Sequence, residues 1–515
     1  MDTIAKGKFH AVLLSSPGMG HVFPVIELGR CLTAHHGFHV TVVVARAASE
    51  PTAEESKAIE AAASLGLFDI MRLPSVDITG LVDPNATFIT RLCVIMREAK
   101  PAFKAALSAM EVQPDLLILD LFSTEHLILG EELRIPTYTY VATNAWFLAL
   151  FLYTPTLDKT VAGEYVDQPE PFDIPGCRPV LPYDVIDPML DRNDQQYVEL
   201  LRMAREITMG NGILLNTWEE LQSGTLAALR DAGLLGRIAR QPMYTIGPLI
   251  RPNELVGSDT ENALFGWLDR QPAESVIYVS FGSGGTLSAD QLTELAAGLE
   301  LSGQRFIWVL RPPTAKSGCG WFFGSKSGSA DMWSFLPDGF LERTQGTGLV
   351  VRQWAPQVNV LAHAAVGAFM SHCGWNSILE SIVNGVPMIA WPLYAEQRMN
   401  AVLLEEDIGV AFRPKVRPSE KTVQRQEIAG LVRKILVGDG GGEAMRKKVK
   451  ELKESAQEAL QEGGSSYEWL CKLEEDCWVT RFRRQAPAGK IGGIDYNQVP
   501  LLEDKRVLAT AHDQP

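Results

Sequence analysis

Residues 366–384 read VGAFMSHCGWNSILESIVN. The first five are small or apolar and fit a buried strand, whereas from Trp375 to about Asn384 the apolar residues recur at helical spacing. The turn between them is unusually polar, with His372, Trp375, Asn376, Ser377 and Glu380 inside nine residues. A strand running directly into a helix is half of a βαβ unit, so the stretch predicts a parallel sheet whose strand ends open onto helix starts. A helix start presents unsatisfied N–H groups and the positive end of a dipole, which together favour a phosphate or another anion. His372, Asn376 and Ser377 add donors at the same mouth. Glu380, one turn further along the same face, can accept hydrogen bonds from sugar hydroxyls. A local reading stands beside this one: Asn376 and Ser377 are also residues that cap helices.

The alternation continues on both sides. VIYVSFG, FIWVL, GLVVRQW, VPMIAWP and GVAFRP read as further strands separated by helical stretches. The helix from about Ala289 to Leu301 has Ser288 and Gln291 in capping-box spacing and Gly303 just beyond its end. Residues 315–334, rich in Gly, Ser and Trp, read as an irregular surface loop. Upstream, FHAVLLSS, the turn PGMG, a helical HVFPVIELGRCLTAH and HVTVVVA make another βαβ unit, followed by the strands PDLLIL, PTYTYVAT and NGILLN. Between them, residues 244–261 break into Pro, Gly and Asn without a period. The expectation is two successive α/β domains with parallel sheets, residues 1–245 and 263–462, joined by a linker at 246–262. Residues 463–515 are expected to form a helix and an atypical, loosely ordered tail.

Composition narrows the function. The chain has 515 residues, 46% hydrophobic and 21% charged, which suits a core-forming protein too long for one core. A net charge of −15 argues against a nucleic-acid partner. Seven cysteines without CxxC spacing suggest reduced thiols rather than a zinc site or a disulfide framework. The first residues lack the pattern of a signal peptide, and AWFLALFLY, residues 145–153, is about half the length of a bilayer span. A cytoplasmic monomer without a membrane span is therefore expected.

Other polar groups fall on the same sheet edges. Trp354 in QWAPQ, and Glu396 with Gln397 in WPLYAEQ, follow strands of the second sheet. A flat indole can stack a base, and a carboxylate beside an amide can bind hydroxyls, so a base, a diphosphate and a sugar are accounted for in one crevice. In the first half, His21 opens a helix directly after the PGMG turn, and Asp120 ends the strand PDLLIL at the same edge. An imidazole beside a carboxylate there can act as a general base. A dinucleotide fingerprint fails, because Phe23 stands where the third glycine is needed. No Asp-x-Asp element occurs, and His35, His36 and His39 lack acidic or cysteine companions, so no metal site is predicted.

From Trp354 to Gln397 the sequence resembles, along its full length, the signature box of plant secondary-product UDP-glycosyltransferases, which begins WAPQ, contains HCGWNS and ends in an acidic residue and Gln. SPGMGH, YVSFGSGG and GGSS extend the resemblance over most of the chain, and the DLF segment and the long loop before FLPDGF are most similar to the hydroquinone-glucosyltransferase-like subgroup. The resemblance implies a GT-B fold, two facing Rossmann-like domains with the acceptor on the first and the nucleotide sugar on the second. It implies that Trp354 stacks uracil, that Gln357 and Glu380 hold the uridine part, and that Ser283, His372, Asn376 and Ser377 bind the diphosphate. Trp375, Glu396 and Gln397 then face the sugar, and Ser16, Gly20, Ala355, Gly374 and Tyr394 complete the donor site. His21 is implied as the base and Asp120 as its partner. The implied reaction is inverting transfer of glucose from UDP-glucose to small phenols such as hydroquinone-like phenols, phenylpropanoids or flavonoids, without a metal or any cofactor beyond the sugar nucleotide. Phe122, Trp146, Phe147 and Phe151 are aromatic enough to line a pocket for a planar acceptor, and could equally belong to the core. The residues after Thr143 and the tail after Cys477 depart from the family pattern.

Overall fold

A computed structural model describes residues 9–48, 53–64, 66–253, 258–315, 318–319, 332–438 and 441–485. The first sheet has seven parallel strands: β1 (His10–Ser15), β2 (His39–Ala47), β3 (Asp69–Val76), β4 (Leu116–Asp120), β5 (Thr137–Val141), β6 (Gly212–Leu215) and β7 (Met243–Thr245). Their spatial order is β3-β2-β1-β4-β5-β6-β7. Next in the chain come β8 (Val276–Ser280), β9 (Gly285–Thr286), β10 (Arg305–Leu310), β11 (Gly318–Cys319), β12 (Gly348–Arg352), β13 (Val366–Ser371), β14 (Met388–Ala390) and β15 (Ala411–Phe412). Six of these form a second parallel sheet ordered β12-β10-β8-β13-β14-β15, and β9 pairs with β11 in a small antiparallel ladder.

The inner strands are mostly apolar and buried because helices cover both faces of each sheet, while the edge strand β3 is largely exposed. In the first sheet, Ala11, Leu13, Val40, Val42, Leu116 and Ile118 pack on one side, with the helix Met19–His36. Val12, Leu14, Val43, Leu117 and Leu119 pack on the other, with Phe103 and Leu107 of the helix Phe88–Ser108. This alternation is the two-residue period of a strand. Both sheets reverse their strand order next to the first strand, between β1 and β4 and between β8 and β13. In doubly wound sheets the crevice at that reversal, beyond the carboxyl ends of the strands, is where ligands bind. The two sheets with their helices form two Rossmann-like domains, the GT-B arrangement expected from the sequence.

A helix spans Ser465–Gln485 and returns to the first domain, where Leu470, Leu473 and Cys477 are buried with Val22 and Val25. Asp476 accepts a hydrogen bond from Tyr244, and Arg481 Nε reaches Asp115 Oδ1 at 2.9 Å. The three buried positions keep helical spacing, but charged neighbours at Glu474, Glu475 and Arg481 dilute the signal. The tail expected at 486–515, and most of the surface loop expected at 315–334, lie outside the described residues. Helical structure resumes at Asp259, inside the anticipated linker, under a capping box made by Ser258 and Glu261. Among the described residues no helix is long and apolar enough to cross a membrane.

Candidate active site

A single cleft is lined by the loops at both strand-order reversals. From the first domain come Gly20, His21, Asp120 and Phe122; from the second come Ser283, Trp354, Ala355, Gln357, His372, Gly374, Trp375, Asn376, Ser377, Glu380, Tyr394, Glu396 and Gln397. Hydrogen bonds cross it. Asn376 Nδ2 donates to Gly20 O at 3.2 Å, and Trp375 Nε1 donates to Asn216 O at 2.7 Å.

On the first-domain side, Gly18 has φ 105 and starts the helix that places His21 in its first turn. His21 Nδ1 lies 3.3 Å from Asp120 Oδ1, and Ser16 donates to the other carboxylate oxygen. Ser16, expected at the donor site, is fully buried behind Asp120 and is not among the residues that line the cleft; its hydroxyl steadies the carboxylate. Burial alone would lower the proton affinity of His21, but the charge and hydrogen bond of Asp120, with Glu396 and Glu55 beyond, outweigh it and hold the imidazole above its ordinary 6.5. Asp120 sits below the usual carboxylate value: burial opposes this, and His21, the Ser16 hydroxyl and the Leu121 N–H overcome it.

The second-domain side is built from four turns with one device in common. Each puts one residue in the left-handed region just before a site residue: Gly282 (φ 72) before Ser283, Gln353 (φ 59) before Trp354, Cys373 (φ 65) before Gly374 and Ala395 (φ 57) before Glu396. Three of the four are not glycine, and such strained residues concentrate where a turn must aim a functional group. The helix Trp375–Asn384 has Gly374 as its N-cap and no side-chain cap. Asn376 instead bonds across the cleft, and Ser377 Oγ accepts from Gln357 Nε2 at 2.9 Å. The capping role open to these two residues in the sequence is therefore not the one they take, and the first N–H groups face the cleft uncapped.

His372 contrasts with His21. Burial, and secondarily the positive charge of Arg311, push its imidazole down to about 3, so it is neutral at any ordinary pH. Its buried Nδ1 has no hydrogen-bond partner among the described residues. Its ring fits only because two neighbours lack side chains: a Cβ would fall 2.3 Å from the ring at Gly282 and 2.5 Å from it at Gly374.

Two arginines of the cleft, Arg251 and Arg311, are absent from the residues read in the sequence. Arg251, from the non-periodic segment between domains, pairs with Glu380 at 2.8 Å and lies over the rings of Phe23 and Trp354. Gln357 donates to the same Glu380 carboxylate at 2.7 Å. Arg311 follows β10 at the same edge as Trp354, so the strand-end argument that found Trp354 would have found it. Gln397 Oε1 accepts from the N–H groups of Leu393 and Tyr394, at 3.0 and 3.1 Å, so this amide shapes its own loop. Burial in the cleft raises the Glu396 carboxyl, opposed by hydrogen bonds from its own backbone and Asn400 and by the charge of His21.

Of the four aromatic acceptor candidates, Phe122, Phe147 and Phe151 line the cleft and Trp146 does not. Phe147 and Phe151 are one helical turn apart, stacked at 5.6 Å, and Phe122 meets the His21 ring edge-on at 5.0 Å. Trp146, one residue before Phe147, is turned about 100° round the same helix into the hydrophobic core. Among the described residues no group of three or more His, Cys, Asp or Glu side chains is arranged to hold a metal ion.

A sequence profile described as "UDP-glucoronosyl and UDP-glucosyl transferase" matches residues 262–413. Anthocyanidin 3-O-glucosyltransferase 5 of Manihot esculenta is 52% identical, over 94% of this chain and 98% of its own length. Hydroquinone glucosyltransferase of Rauvolfia serpentina is 40% identical, over 90% of this chain and 97% of its own. Among solved structures, Phytolacca americana UGT2, complexed with UDP-2-fluoro-glucose and pterostilbene, is 38% identical with a TM-score of 0.80, covering 91% of this chain and all of the other. With this likeness over nearly the whole length, the chain belongs to the plant UDP-glycosyltransferases and is an enzyme of that family.

Proposed function

We propose that this enzyme transfers glucose from UDP-glucose to a hydroxyl of a small phenolic acceptor, with inversion at the anomeric carbon and without a divalent ion. The observation that carries the reading is the opposition of two unlike ends of one cleft. His21 and Asp120 stand on one side, 3.3 Å apart, and the uncapped helix start at Trp375 stands on the other. Glucose is supported as the sugar by the names of the relatives, and a phenol by the pterostilbene bound to UGT2 and by the aromatic wall of Phe122, Phe147 and Phe151.

In this mechanism Asp120 accepts a hydrogen bond from His21 Nδ1–H, which leaves Nε2 unprotonated and aimed at the acceptor hydroxyl. The imidazole takes the phenolic proton as the oxygen attacks the anomeric carbon from the face opposite UDP, and Asp120 stabilises the resulting imidazolium. Charge then builds on the departing diphosphate. The first N–H groups of the helix at Trp375, with Ser283, His372, Asn376 and Ser377, receive it, which is work that a bound cation performs elsewhere. Trp354 stacks the uracil, Gln357 and Glu380 hold the uridine part, and Trp375, Glu396 and Gln397 contact the sugar.

Mass spectrometry of products from UDP-glucose, UDP-galactose and UDP-xylose with a panel of phenols tests this directly. A mass gain of one hexose with UDP-glucose is expected, with the other donors poorer. UDP-glucose bound without turnover of any phenol would overturn it. Activity is expected to survive EDTA; loss restored by magnesium or manganese would sink the metal-free step.

A further inference from the structure

Beyond the residues that touch a donor, one contact joins the acceptor wall to the sugar loop. Ile186 and Pro188 line the first-domain wall of the cleft, and Asp187 between them faces the second domain. Its N–H donates to Ala395 O at 3.1 Å, and its Oδ2 accepts from the Ala395 N–H at 2.7 Å. Its Oδ1 is 2.6 Å from Arg398, a buried guanidinium that also donates to Val185 O at 3.1 Å. Both peptide groups of one residue are thus fixed from the opposite domain. That residue is Ala395, which holds φ 57 without being glycine, immediately before Glu396 and Gln397. A left-handed alanine persists only where its surroundings over-determine it, and here a carboxylate, a backbone N–H and a buried guanidinium do so.

We propose that Asp187 is a positioning residue for sugar recognition: it locks the turn at Ala395, so that Glu396 and Gln397 meet the sugar at a fixed angle relative to the acceptor wall. The inference rests on the reading above that Glu396 and Gln397 face the sugar. Asp187 is not among the residues that line the cleft, and a residue that only stapled the two domains together would affect the uridine end as much as the sugar end.

The test compares the full-length wild type with Asp187→Ala and Asp187→Asn, reading kcat and KM for UDP-glucose and UDP-galactose with one phenol, and the Kd of UDP by calorimetry. Because small displacements at a reacting centre are costly, Asp187→Ala is expected to lose about tenfold or more in kcat/KM for UDP-glucose. The preference for UDP-glucose over UDP-galactose is expected to narrow while the Kd of UDP stays within about twofold. Asp187→Asn keeps an acceptor for the Ala395 N–H but loses the charge facing Arg398, so its loss is expected to be smaller and of the same kind. Wild-type kcat/KM and sugar preference in Asp187→Ala would overturn the proposal, as would UDP affinity falling in step with turnover. If the alanine variant does not fold, the isosteric Asp187→Asn decides: an unchanged sugar preference overturns the proposal. A wild-type enzyme that turns over neither sugar nucleotide counts against the proposed function instead, which separates the two failures.

Discussion

His21, in the first turn of a helix, and His372, in a turn just beyond β13, both line one cleft at points where the strand order of their sheets reverses, and their proton affinities are shifted in opposite directions. His21 is held above 6.5 by Asp120 despite burial, whereas His372, with no carboxylate beside it and Arg311 nearby, is pushed down to about 3. The difference teaches that position in the fold does not set a histidine's role; its neighbours do. One imidazole is equipped to take a proton. The other, with its proton affinity lowered by burial and by Arg311, is a neutral hydrogen-bonding group at the mouth of the uncapped helix.

Substitutions break this contrast in graded ways. His21→Ala removes the base and is expected to cost about 10³-fold in kcat with little change in the Kd of UDP, measured by initial rates and calorimetry. Asp120→Asn leaves the imidazole but removes the charge that raises it and fixes its tautomer, with an expected loss of roughly 10²-fold in kcat. Gly282→Ala places a methyl group 2.3 Å from the His372 ring and forces a side chain onto a φ of 72. It is expected to weaken UDP binding by about tenfold while the bound complex still turns over.

Much of the second-domain edge was legible because its groups lie in one continuous stretch whose strand–turn–helix pattern fixes where they point. His21 and Asp120 were legible for the same reason, each at a strand end in an otherwise apolar pattern. What could not be read were conformations and partners. Nothing in the identities of Gln353, Cys373 and Ala395 announces a left-handed backbone, since none is glycine. Arg251 and Asp187 lie in segments without a period, so no pattern assigns them a direction, and their partners Glu380 and Ala395 are more than a hundred residues away. Between the two readings open to the aromatic run, pocket wall and core, the helical period decides: Trp146 goes to the core, Phe147 and Phe151 to the cleft. The last helix was expected from the sequence, but not its return to the first domain, because Leu470, Leu473 and Cys477 are few among many charges.

The pH dependence of kcat/KM in the wild type and in Asp120→Asn tests the central claim most directly. A base must be unprotonated, and Asp120 holds the proton on His21 to higher pH. Wild-type activity is therefore predicted to fall as pH drops through an apparent pKa above 6.5. In Asp120→Asn the residual activity should fall at lower pH, because the carboxylate charge that raises His21 is gone. A wild-type profile that does not fall until well below pH 6, or one that Asp120→Asn leaves in place, would contradict the account of His21 as the carboxylate-supported base.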